Sequence, residues 1–125
     1  MINVKSQVYD AIKGITENVS DGYPKDWATL PAIQYTEEEN IVRDWTYDAE
    51  RNFQEMASTL RYRIDIWNNQ STSEVTLAVD AAIAPLGLRR TMCSDVEDPS
   101  GLKHKVLRYV GVINCEDEQV YQENL

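Results

Sequence analysis

The residues of this chain that could do chemistry are few and scattered. Three carboxylates, Asp95, Glu97 and Asp98, fall within one polar loop, and the single histidine, His104, follows that loop. Loop carboxylates can bind a divalent metal, but this spacing is not that of an EF-hand, and the glycine that such a loop requires is absent. The alternative interpretation is that the loop is acidic because it is solvated.

A nucleophile pair is a second possibility, and it would join His104 to Cys93 or Cys115. His104 lies between Lys103 and Lys105 on a predicted strand, so we expect a surface or edge histidine there. Both cysteines are expected to be small, partly buried side chains. The sequence has no glycine-rich phosphate loop and no GxSxG, HExxH or CxxC motif. We therefore predict no catalytic residues, no metal site and no cofactor.

Length, charge and composition narrow the class of protein. The chain has 125 residues, a formal net charge of -9 and 42% hydrophobic residues, which suits one compact globular domain. A protein this acidic generally repels nucleic acid and anionic membranes at long range. With two cysteines, no apolar signal core and no long apolar stretch, we expect a reducing cytosol and no membrane partner.

The basic residues carry more information than the acidic loop. Five of them fall on predicted strands, largely at positions that face away from the aliphatic side chains. They are Arg61, Arg63, Arg89, Lys103 and Lys105. If their strands are neighbours, these residues form a positive stripe on the sheet of an otherwise acidic protein.

Three interpretations of this stripe remain open. It could bind the phosphates of a nucleic acid, although aromatic side chains are scarce beside it. It could be a solvated sheet face. It could also mediate self-assembly, in a head-to-tail contact with the C-terminal tail or the acidic run of the next copy. That run consists of Glu37, Glu38 and Glu39.

Hydrophobic periodicity predicts the first half of the secondary structure. A stripe at the helical period predicts a helix over 3–17, capped by Asn3, and turn residues predict a loop over 18–31. A short strand over 32–35 should end at the acidic run. Residues 40–55 fit either a strand of an extended hairpin arm or an irregular loop. Strict alternation then predicts a strand over 57–67, with one apolar face.

The second half reads as a helix and two strands. Ser71 and Glu74 form a capping-box pattern before a helix that ends at Pro85. Strands are predicted over 86–92 and 102–113, with a polar turn over 94–101. Residues 1–114 are thus expected to form one α+β domain, and residues 115–125 an acidic, flexible tail. The order α-β-(β)-β-α-β-β predicts a two-layer sandwich, with two helices packed on a mostly antiparallel sheet of about four to five strands.

Two segments carry a resemblance to a known family. The strand-turn-helix RYRIDIWNNQSTSEVTLAVDAAI and the later DVEDPSGLKHKVLRYVGVI resemble the tail-completion proteins of long-tailed bacteriophages and prophages. That group includes tail terminators and head-to-tail joining proteins. The resemblance extends from the first helix to Ile113, but residues 36–56 and the acidic tail do not contribute to it.

The resemblance implies a structural virion protein rather than an enzyme. Its expected partners are further copies in a ring of six, the tail-tube protein and the head-connector protein. DNA would pass through the ring without specific binding, and the protein would be made in the bacterial cytoplasm. Arg61, Arg63, Arg89, Lys103 and Lys105 are then candidates for subunit contacts, and Glu37, Glu38 and Glu39 for lumen or partner contacts in a projecting loop. The alternative is a small cytoplasmic accessory metal-binding module or enzyme of prophage origin.

Overall fold

The computed structural model describes residues 1–121 and shows an α+β protein. Two α-helices accompany a mostly antiparallel sheet of six strands. The helices are α1 (Lys5–Ile12) and α2 (Ser73–Ile83), and a 3-10 turn (Ala84–Leu86) extends α2. The strands are β1 (Asn18–Ser20), β2 (Ala32–Tyr47), β3 (Phe53–Asn68), β4 (Arg89–Val96), β5 (Lys103–Asn114) and β6 (Val120–Tyr121).

The sheet is built around one long hairpin. Its strand order is β1-β2-β3-β5-β4, and the short β6 pairs with β5. Among the strands of residues 1–121, β1 and β2 alone run parallel, and they share three residue pairs. β2 and β3 are each 16 residues long and pair along nearly their whole length, with three register shifts.

Alternation along β3 divides the sheet into two faces. Leu60, Tyr62, Ile64 and Ile66 are fully or almost fully buried, and they share one hydrophobic cluster with residues of both helices. This side is called the core face. Each fully buried aliphatic side chain there contributes about 1.5–3 kcal/mol through lost contact with water. The opposite side, which carries the charged residues of β3, is called the polar face.

A buried hydroxyl ties the first helix to the sheet. The backbone N–H of Val4, just before α1, donates a hydrogen bond of 3.0 Å to Oη of Tyr62 on β3. Burial raises the pKa of Tyr62 to about 12, so its ring remains neutral at physiological pH. The contact satisfies one of the free N–H groups at the start of the helix.

Several boundaries differ from those predicted by the sequence. α1 ends at Ile12 rather than at residue 17. Its N-cap is Val4 and not the predicted Asn3, although Asn3 accepts a hydrogen bond from the N–H of Lys5. The capping box is wrong, because the N-cap of α2 is Thr72 and makes no side-chain cap. The strand expected from residue 86 begins at Arg89, after the 3-10 turn. The strands predicted over 57–67 and 102–113 are confirmed.

The acidic run and residues 40–47 belong to one continuous strand. β2 does not end at Glu37 but continues to Tyr47, so the projecting loop expected at this run is wrong. Residues 40–55 therefore form the extended hairpin arm and not the irregular loop. Cross-strand pairs to β3 supply the backbone hydrogen-bond partners that the sequence pattern alone does not reveal.

The C-terminal segment also differs from the flexible tail that was expected. After Asn114 the chain turns back and β6 pairs with Val112 and Ile113 of β5. Gly87, with φ of 85°, makes room for it, because a Cβ atom there would collide with the carbonyl oxygen of Val120. The rest of the predicted tail, residues 122–125, lies outside the described residues.

Candidate assembly surface

The structure gathers only part of the predicted basic stripe. Arg61 is opposite Val110 of β5, which is opposite Arg89 of β4, so these two arginines lie in one row across the polar face. Arg63 lies in the neighbouring row on the same face. The two lysines do not join them, because Lys103 pairs with Asn68 and Lys105 with the core residue Ile66.

Ion pairs neutralise most of this basic surface. Nε of Arg61 lies 2.9 Å from Glu39, and the guanidinium of Arg63 donates two hydrogen bonds, of 2.8 and 2.9 Å, to Asp65. Those bonds raise the pKa of the Arg63 guanidinium. On the other face, Lys105 Nζ contacts Asp95 at 2.9 Å. The polar face is thus a set of alternating charges and not a positive stripe.

Sequence reasoning missed Arg108, which belongs to the same face. Arg108 is opposite Arg63 and donates hydrogen bonds of 2.9 and 3.4 Å to the carboxylate of Glu38. The signal that could have found it is its place in β5, where it shares the parity of Val106 and Val110. Two residues of the acidic run, Glu38 and Glu39, therefore pair within the chain.

Two ionisable side chains of the edge strands keep a buried polar atom without a hydrogen-bond partner. Across residues 1–121 these atoms are Oε1 of Glu37 on β2 and Nε of Arg89 on β4. Glu37 is opposite Tyr62, hence on the side of the core face. Buried polar groups without partners are uncommon in folded proteins, and each one requires an explanation.

His104 occupies a closed cluster, and the expectation of a surface histidine is wrong. Its side chain is only 10% exposed. Nε2 lies 2.8 Å from Asp65 and Nδ1 lies 3.6 Å from Asp98, while the ring stacks on Trp67 at 4.5 Å between centroids. Trp67 Nε1 donates a 3.2 Å hydrogen bond to Asp98. Hydrogen bonds from Ser100, followed by weaker effects of Trp67 and His104, lower the pKa of Asp98.

This cluster does not assemble the chemistry considered from the sequence. Cys93 is exposed and pairs with the core residue Leu107, whereas Cys115 bonds through its N–H to Met56 at the base of the arm. Asp95 contacts Lys105, whereas Asp98 contacts His104 and Trp67. In the part of the chain that the structure describes, no group of three or more His, Cys, Asp or Glu side chains is placed to hold a metal ion. The cluster fixes the 97–102 loop against the sheet.

The hairpin projects beyond the rest of the sheet as an exposed arm. The arm comprises residues 41–56. β5 pairs with β3 only as far as Ala57, so no third strand among residues 1–121 covers the arm. It carries six of the twelve exposed large hydrophobic residues of the described chain. These are Ile41, Val42, Trp45, Tyr47, Phe53 and Met56.

The tip of the arm has a defined turn. Oδ1 of Asp48 accepts hydrogen bonds of 2.9 Å from the N–H groups of both Glu50 and Asn52. These bonds lower the pKa of Asp48. The rings of Tyr47 and Phe53 meet edge to face at 6.3 Å just below the turn. An ordered arm with apolar side chains in water is typical of a protein-protein contact surface.

Comparison with known proteins adds no family. A scan against protein-family models and a search of curated protein sequences both found no match. No helix within residues 1–121 is long and apolar enough to cross a membrane.

Proposed function

We propose that this protein is a structural virion subunit that forms a ring at the head-proximal end of a phage tail. There it ends the growth of the tail tube and joins the tail to the head connector. In this proposal the two helices form one layer and the sheet the second layer of a two-layer sandwich, and the arm of each copy reaches a neighbour.

The exposed arm is the observation that carries the proposal. Trp45 is 54% exposed and Tyr47 is 62% exposed, in a chain whose net charge otherwise favours solubility. Burying such side chains on a neighbouring subunit would gain roughly 25 cal/mol for each Å² of apolar surface removed from water. The resemblance of the RYRIDIW and LKHKVLRYV segments to tail-completion proteins supports the same class of function.

The acidic charge fits a ring that surrounds DNA. A lumen of the same sign as the phosphate backbone lets DNA slide, because no counterions are released by specific contacts. Assembly into such a ring needs short-range contacts that outweigh the repulsion between copies with a charge of -9. The apolar side chains of the arm supply contacts of that kind.

The alternative, an accessory metal-binding module or enzyme, depends on the 95–98 loop and His104. Asp95 and Asp98 point to different partners, Lys105 and the His104 cluster. Isothermal titration with Mg²⁺, Mn²⁺, Ca²⁺ and Zn²⁺ tests this alternative, and micromolar binding would favour it over the ring.

Electron microscopy of an arm variant tests the proposal. The triple variant Trp45→Thr, Tyr47→Thr, Phe53→Thr removes apolar surface but keeps residues that suit a strand. We expect rings from the native chain and folded monomers from the variant. Leu77→Thr is the control, because Leu77 is 71% exposed on α2, away from the arm, and this change should leave rings intact. Rings from the triple variant would contradict the role of the arm.

A further inference from the structure

The sheet has two bare edges, one on each side. β1 covers β2 only along residues 32–34, which leaves the outer edge of residues 35–47 without a paired strand. β4 pairs with β5 alone, so its whole outer edge is open along eight residues. Within residues 1–121 no other strand lies on either edge. Bare edges present rows of backbone donors and acceptors that a further strand can pair with.

The two edges run in opposite directions. From β2 through β3 and β5 to β4, every neighbouring pair is antiparallel. β2 and β4 therefore point opposite ways. A rotation that relates copies in a ring keeps the direction of each strand relative to the ring axis. β4 of one copy thus meets β2 of the next in the antiparallel sense, which gives the more stable ladder.

Charge also selects this pairing over its alternatives. Residues 35–47 contain four acidic residues and one arginine, whereas β4 contains Arg89, Arg90 and one aspartate. Two β2 edges paired with each other would bring acidic runs together, and two β4 edges would bring arginines together. Like charges on directly opposed strand positions are destabilising, so a β2 edge is better matched by a β4 edge.

Exposure and unpaired polar atoms characterise the two edge strands. Both buried side-chain atoms without a hydrogen-bond partner, on Glu37 and Arg89, lie on these two strands. Most of β4 is exposed, although it is part of a six-stranded sheet. The exposed β4 edge leaves its outer row of backbone groups free for a further strand.

We propose that the occupant of each edge is a second copy of this chain. The outer edge of β4 in one copy pairs antiparallel with the outer edge of β2, within residues 35–47, in the next copy. Repetition of this junction makes one continuous sheet around the assembly. The closure of that sheet into a ring rests on the proposed function, but the junction itself can be measured separately.

The native Cys93 provides a position-specific test of the junction. Cys93 is exposed on β4 and lies on the side of the core face, opposite Leu107. In a continuous sheet it shares that side with Glu37, Asn40 and Val42 of the neighbour, which are opposite Tyr62, Leu60 and Ser58. In a Cys115→Ser background, Glu37→Cys, Asn40→Cys and Val42→Cys are each oxidised mildly. We expect at least one of them to give covalent dimers and higher species on a non-reducing gel.

Two variants on the other side of β2 are matched controls. Glu39→Cys and Ile41→Cys lie on the polar face, opposite Arg61 and Thr59. A disulfide needs Cβ atoms about 3.5–4.5 Å apart, which side chains on opposite faces of one sheet do not reach. These controls should remain uncrosslinked, and Cys93→Ser should abolish every crosslink. Circular dichroism of each variant verifies the fold.

The outcomes separate this junction from the proposed function. Crosslinks confined to the core-face variants support the junction. Equal crosslinking on both faces, or none on the core face, overturns it. If rings are seen by electron microscopy without those crosslinks, the junction is wrong and the ring stands. If neither rings nor crosslinks form, the proposed function and the junction both fail.

Discussion

At the scale of single residues, the same residue type plays different roles on one strand. Arg61 and Arg63 share a face of β3 and are equivalent by parity. Arg63 donates two hydrogen bonds to Asp65, whose side chain is 6% exposed, whereas Arg61 and its partner Glu39 are both close to half exposed. Arg63 therefore compensates a buried charge, and Arg61 forms a surface ion pair.

This difference predicts unequal costs of truncation. Arg63→Ala should lower the free energy of unfolding by about 1–3 kcal/mol, because Asp65 loses two charge-assisted bonds. Arg61→Ala should cost less than about 1 kcal/mol, as exposed ion pairs do. Urea denaturation of both variants measures the two losses. Equal losses of unfolding free energy would show that the burial of Asp65 does not raise the cost of removing its partner.

Asp98 predicts a pH dependence of stability. Its pKa is lowered in the folded protein, chiefly by hydrogen bonds from Ser100, so the carboxylate stabilises the fold when it is ionised. That stabilisation is complete above the ordinary pKa of 3.8 and is lost as the pH falls through the lower native pKa. We expect Asp98→Asn to be less stable than the native chain at pH 7. The difference should shrink below pH 3.8.

The measurement is the free energy of unfolding of both proteins at several pH values between 2.5 and 7. A gap that is constant over this range would contradict the assigned role of Asp98. The same experiment on Asp95→Asn is a control, because Asp95 is 81% exposed at its side chain and pairs only with Lys105 among the contacts described.

Alternation in the sequence predicts which face a strand residue occupies but not the residue it meets. Arg61, Arg63 and its partner Asp65 all lie on the predicted face of β3, whereas the pairing of Arg61 with Glu39 follows from strand register. Register depends on the pairing of distant segments, here residues 32–47 with 53–68. The His104 cluster was missed for the same reason, because Trp67 and Asp98 reach it only after three segments meet.

At the scale of elements, the short β6 depends on a glycine in another segment. Gly87 adopts a left-handed conformation, and β6 passes so close that a Cβ atom would collide with the Val120 carbonyl. Gly87→Ala should lower the free energy of unfolding by about 1–3 kcal/mol through strain and displacement of β6.

Gly14 is the matched control for Gly87. Nothing lies within 4 Å of a Cβ atom placed there, and its φ is not left-handed. Gly14→Ala should change stability by less than about 1 kcal/mol, in either direction. Thermal or urea unfolding of both variants decides the matter. A neutral Gly87→Ala would mean that β6 is not held against the sheet in solution.

Sequence pattern predicted the elements that line the core and missed those that do not. β3 over 57–67 is predicted because one of its faces is apolar at a period of two, and β5 because apolar residues occupy both of its faces from residue 106 onward. For the arm over 41–56 the sequence does not distinguish a strand from an irregular loop. Neither face of the arm is buried, so its apolar residues follow no single period. β1 and β6 are three and two residues long and exist only through pairing with distant strands.

At the scale of the whole molecule, the chain combines strong negative charge with apolar contact surface. A net charge of -9 repels free copies. In the proposed assembly, the arm and the bare edges supply the contacts that outweigh this repulsion. Salt near 0.15 M limits the reach of the repulsion to about 8 Å, so the short-range contacts should decide assembly under physiological conditions. We propose that this molecule is a subunit of a closed assembly.

The mass of the purified chain in solution tests that claim most directly. Sedimentation velocity at 0.15 M salt is measured over a wide range of protein concentration, with and without tail-tube subunits. We predict one closed species whose mass is a fixed whole multiple of 14.3 kDa, six copies in the proposed ring. A monomer of 14.3 kDa at every concentration, with and without the tube subunits, would contradict the account.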